Sequence, residues 1–94
     1  MEKVVGICWY QAEHFLQLRA MFEDGDSLHE TYGEWLSAAE LGRKRLESGG
    51  AKVVCVDLDP DVFPKWCRAK GMKLDAQART AYANWMAYQA AMGR

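Results

Sequence analysis

Two stretches of this sequence read as β-strands, and a long helix-patterned stretch lies between them. Residues 4–10, Val-Val-Gly-Ile-Cys-Trp-Tyr, form a short charge-free run of β-branched and aromatic residues. Such a run predicts a strand buried on both faces or nearly so. Gly6 inside it points to close packing of a neighbouring element. The second run, Lys52-Val-Val-Cys-Val-Asp-Leu58, is again β-branched. Two strands alone make a sheet that is marginal in water. Helices must cover this one, or a second copy must extend it.

Between the strands the apolar period changes. Ala12, Phe15, Leu18 and Phe22 recur every three or four residues, which predicts an amphipathic helix over 11–23. Glu-Asp-Gly-Asp-Ser at 23–27 is turn chemistry and ends it. Thr31 and Glu34 have the spacing of a capping box, so a second helix should run over 32–48. Its buried stripe would be Tyr32, Trp35, Leu36, Ala39 and Leu46. Gly49-Gly50 supplies a left-handed exit. After the second strand, Asp59 suits an N-cap and Pro60 a first helical position, and Gly71 closes this third helix. Asp75 caps a fourth helix over 76–92.

The order is β-α-α-β-α-α, an α/β fold (or, alternatively, α+β) with a two-stranded sheet packed by four helices. Ninety-four residues make one domain, spanning 1–94. Strand followed by two helices occurs twice, but the two halves do not match in sequence. Strand direction stays open. Simple reversal at every element gives an antiparallel pair, and an obliquely crossing helix gives a parallel one.

The fourth helix carries a single charged residue, Arg79. A surface helix ordinarily shows a charged face opposite its apolar stripe. Here Ala81, Trp85, Tyr88 and Met92 form one stripe, and Ala78, Tyr82 and Met86 an adjacent one. The width of this apolar arc predicts a helix that packs on its own domain with one side and on another copy with the other. Ala81, Trp85, Tyr88 and Met92 are the expected dimer interface. A helix central to its own fold is the competing reading.

Composition narrows the classes of function. The net charge is −1, which argues against a protein built to neutralise nucleic-acid phosphates. Residues 1–50 carry five basic and nine acidic groups, and residues 51–94 carry seven and four. Cys8, Cys55 and Cys67 are odd in number and widely spaced, giving neither a disulfide framework nor a zinc site. A reducing, cytoplasmic setting is expected. The apolar stretch after Met-Glu-Lys is too short for a signal-peptide core, and no stretch approaches a membrane span.

Candidate chemistry is sparse. Asp57, Asp59 and Asp61 are the most conspicuous polar cluster and offer oxygen ligands suited to Mg²⁺ or Ca²⁺. Their spacing lacks the glycine and distal glutamate of a calcium loop. Strand end, N-cap and first helical turn account for all three. His14 and His29 could add a base or a metal ligand, but no H-x-x-x-H pair exists. Cys67 has Arg68 beside it, and it also shares a helix face with Phe63, which favours burial over reactivity. Lys65, Arg68, Lys70, Lys73 and Arg79 surround Trp66, a combination that can contact a nucleic-acid backbone and stack on bases. The helix that would then read bases is mostly alanine. Core packing is the default account of the four tryptophans and four tyrosines, apart from Trp85 and Tyr88 on the expected interface. If the strands are parallel, their ends, with Trp9 and Tyr10 near Asp57 or Asp59, are the place for a ligand pocket. No phosphate loop, G-x-G-x-x-G or nucleophile elbow occurs.

These features point to a non-enzymatic homo-oligomer, a homodimer acting through protein–protein contact, with no cofactor and no membrane partner. One alternative is a small-ligand or divalent-metal-binding domain using the aspartates after the second strand. Another is a weak nucleic-acid binder using the basic third helix.

Overall fold

A computed structural model describes residues 3–92. Strand β1 is Lys3–Trp9 and strand β2 is Ala51–Asp57. The helices are α1 (Phe15–Met21), α2 (Tyr32–Ser48), α3 (Val62–Lys70) and α4 (Ala76–Met92), with 3-10 turns at Ala12–His14 and Gly25–Ser27. The strands pair in parallel, from Lys3 opposite Ala51 to Trp9 opposite Asp57. Among the described residues the fold is therefore mixed α/β with a two-stranded parallel sheet and four helices, and the strand direction that the sequence left open is settled.

Side-chain alternation along β1 assigns the layers. Gly6 faces α4: a Cβ there would meet the carbonyl oxygen of Ala83 and the Ala87 methyl. Cys8, on the same face, donates its thiol to the Arg79 carbonyl at 3.2 Å. Trp9 points the other way and packs edge-on against Trp35 of α2, with ring centroids 5.3 Å apart. Helices α2 and α4 thus cover opposite faces of the sheet. The main core lies at its carboxyl end. Phe15 and Leu18 of α1, Phe22, Leu58 and Phe63 are buried there with Tyr10, Trp35 and Tyr82. Each such side chain contributes about 1.5–3 kcal/mol by leaving water. Ring contacts run unbroken from Trp35 through Tyr10, Phe22, Phe63, Tyr82 and Trp66 to Trp85.

A parallel ladder leaves every second residue of each strand with its N–H and C=O pointing away from the partner. Leu58 donates to the Trp9 carbonyl, so the odd-numbered residues of β1 face β2 and the even-numbered ones face outward. The outward Gly6 N–H is met by Asn84, whose side-chain oxygen accepts it at 3.1 Å. One flank of α4 thereby closes part of this edge, a use of a helix that protects an open strand.

Local signals account for most element ends. Thr31 accepts from the Glu34 N–H at 3.2 Å, and its hydroxyl donates to the Glu34 carboxylate at 2.9 Å. The carboxylate thus returns to the threonine side chain rather than to its backbone. Asp75 accepts from the Ala78 N–H at 3.0 Å. Gly50 and Gly71 take positive φ at the exits of α2 and α3.

Three expectations shift. The predicted helix over 11–23 is divided: Ala12–His14 winds as a 3-10 turn, and α1 begins only at Phe15. The tighter turn leaves Ala12 exposed while Phe15, Leu18 and Phe22 still reach the core. Helix α3 begins at Val62 instead of Pro60, and its N-cap position is Asp61; the Asp59 carboxylate, two residues earlier, accepts from the Asp61 and Val62 N–H groups. The first strand is less covered than a two-face burial requires. Within β1 only Gly6 is buried, and Val4 is 38% exposed. A sheet of two strands is all edge, so its flanks stay open wherever no helix lies across them.

Candidate functional site

The carboxyl ends of the parallel strands gather several of the polar residues singled out in the sequence. The side-chain amide of Gln11, just past β1, donates to Asp57 at the end of β2 at 2.9 Å. Asp59 follows, and its carboxylate accepts from the backbone N–H groups of Asp61 at 2.7 Å and Val62 at 3.0 Å. Those bonds hold its carboxyl below the usual range, helped by the nearby charges of His14 and Lys65. This is the position where open α/β sheets bind ligands. Here, however, the N–H groups opening α3, which could otherwise hold an anion, already belong to Asp59.

The remaining candidates do not join this group. Asp61 is exposed in the turn entering α3, and His29 is exposed in the loop before α2. His14 is half-buried at the start of α1, and its Nδ1 has no hydrogen-bond partner. Among the described residues, no three of histidine, cysteine, aspartate and glutamate are placed to hold a metal ion. Lys65, Arg68, Lys70 and Lys73 are exposed. Arg79 leaves that basic set altogether.

Arg79 turns inward and forms a bidentate pair with Asp24, at 2.7 and 2.8 Å. Its guanidinium lies 4.4 Å from the centre of the Phe22 ring. The Arg79 guanidinium in turn holds the Asp24 carboxyl below its ordinary value. Sequence reasoning placed Arg79 in a basic patch and missed this partner. The signal available was a lone charge in an otherwise uncharged helix, which in a core-facing position requires an opposite charge.

The cysteines offer no activated thiol. Cys67 is buried beside Phe63, and burial pushes its thiol up. Cys8 lines a shallow groove between β1 and α4, with Gly6, Thr80 and Ala83. Burial raises its thiol to about 12, against a weaker opposing pull from Arg79. A thiol so high is protonated at neutral pH and is a poor nucleophile.

The outer surface of α4 is the remaining candidate. Ala78, Tyr82, Ala83 and Ala87 make its core face. Trp85 is 42% exposed, Tyr88 60% and Met92 65%, and Ala81 is half-buried among them. Because Arg79 is turned inward, the solvent side of this 17-residue helix, about 25 Å long, carries no formal charge. Trp85 also touches Trp66 of α3, with ring centroids 6.1 Å apart, so the apolar stripe continues onto the neighbouring helix. No helix among the described residues is long and apolar enough to cross a membrane. The chain matches no protein-family model, no curated protein and no solved structure.

Proposed function

We propose that this chain is a non-enzymatic protein that works by self-association, as a homodimer built on the outer face of α4. The observation that carries this reading is the uncharged solvent side of α4, on which Trp85, Tyr88 and Met92 stand exposed. Large apolar side chains in a contiguous exposed stripe mark contact surfaces. The choice of a second copy as the occupant rests on charge. Across a two-fold axis a surface meets itself, so a charge on it meets its own kind nearby. A face free of charge escapes that repulsion. The inward turn of Arg79 is what leaves this one free.

Light scattering behind a sizing column at tens of micromolar tests the proposal. The expected result is twice the chain mass for the wild type. Tyr88→Glu, which places a carboxylate on each side of the contact, should give the single-chain mass with an unchanged helical circular-dichroism signal. A wild-type monomer overturns the proposal.

A further inference from the structure

We infer that the two copies meet through α4 packed antiparallel, with Trp85 against the partner's Tyr88 and Ala81 against the partner's Met92. This inference rests on the self-association proposed above and adds its geometry. The order of side-chain sizes along the exposed stripe carries it. Read towards the carboxyl end, the stripe runs small, large, large, long: Ala81, Trp85, Tyr88, Met92. Reversing one copy sets the small Ala81 opposite the long, exposed Met92 at both ends of the contact. The two rings then fall opposite one another in the middle. Small against large is how facing helices interdigitate, and offset or edge-on ring pairs are favourable. A parallel arrangement gives Trp85 against Trp85 and Met92 against Met92, with Ala81 facing Ala81 across a gap.

The helix ends favour the same orientation. Apart from the cap Asp75, α4 has no acidic residue in its first turn and no basic residue in its last. Its dipole is thus little compensated by its own side chains. In the antiparallel register each carboxyl end comes level with position 81 of the partner, five residues or roughly 7.5 Å inside its amino end, whereas parallel packing stacks like ends level with each other.

The overlap is centred between Trp85 and Tyr88. Residues 81 and 92 are eleven positions apart, or roughly 16 Å along the helix. In the antiparallel dimer, position 81 therefore lies level with position 92 of the other copy and roughly 16 Å from its own equivalent. A disulfide needs Cα atoms within about 7 Å.

Engineered cysteines read this geometry. Cys55, the exposed native thiol, is first replaced by serine. Ala81→Cys and Met92→Cys are then made singly and together in the full chain, oxidised mildly, and run on a non-reducing gel. The double variant should form a covalent dimer, and neither single variant should. Cross-linking by either single variant, or none by the double variant, overturns the antiparallel pairing. If light scattering still gives the dimer mass in that case, self-association stands and only its orientation fails. A monomer mass removes both.

Discussion

Between Asp24 and Arg79, two parallel N–H···O bonds join the turn after α1 to the first half of α4. The Arg79 side chain is 11% exposed and that of Asp24 31%, so water screens the pair only in part. A pair of this kind lies between a surface bridge, worth little, and a buried one whose loss is severe. Asp24→Asn should cost about 1–2 kcal/mol at pH 7, read as a lower urea midpoint. The pH dependence follows from the direction of the shift. The Asp24 carboxyl is held below its ordinary value of 3.8 in the folded chain, so its contribution is complete above that value. It is lost as pH falls through the lower folded value. The gap between wild type and Asp24→Asn should therefore be full at pH 7 and narrow on strong acidification. An unchanged gap at low pH would contradict the assignment. The sequence made the helix-opening side chains Thr31, Asp59 and Asp75 legible because each bonds a backbone N–H within three residues. It hid the partner of Arg79 because that contact spans fifty-five positions.

Helix α4 shows what periodicity can and cannot tell. Its apolar residues fall on every side, so spacing yields two neighbouring stripes without saying which one faces the core. The sheet decides. Gly6 lets the backbone of α4 come down onto β1, and Ala83 and Ala87 become contact residues that no hydrophobicity ranking would select. Gly6→Ala should push its new methyl into the Ala83 carbonyl oxygen and the Ala87 side chain. Thermal unfolding should register a loss of about 1–3 kcal/mol, the usual range for overpacking. Wild-type stability in that variant would mean that α4 can lift off the strand. At the other end of the chain, α1 shows the opposite limit. Its core residues were legible from their spacing, but the 3-10 turn before it was not. Exposure of Ala12 reflects a tightened backbone that apolar spacing does not encode.

Across the whole molecule, thiol reactivity reports the layering. Cys55 is exposed on β2, Cys67 is buried in the core with Phe63, and Cys8 is half-buried between β1 and α4, its thiol donated to the Arg79 carbonyl. An aromatic disulfide reagent at neutral pH should label one thiol per native chain quickly, and Cys55→Ser should abolish that fast phase. Rapid labelling of two or three thiols would mean that the α4 or α3 layer opens readily. The composition of the layers was readable in the sequence. The parallel pairing was not, because it depends on how α1 and α2 cross between the strands. Parallel pairing is also why Asp57, Asp59, Gln11 and His14 lie near one end of the sheet, so the candidate ligand position was legible only conditionally. The hydrogen bond from Gly6 to Asn84 joins positions seventy-eight residues apart. During synthesis, β1 leaves the ribosome long before the helix that closes its outer edge. Until then Val-Val-Gly-Ile-Cys-Trp is an uncharged, proline-free strand with nothing along that flank, and short segments of this type are prone to pair with other chains. Chaperone demand on the nascent chain should therefore peak after β1 has emerged and subside once α4 is free to dock.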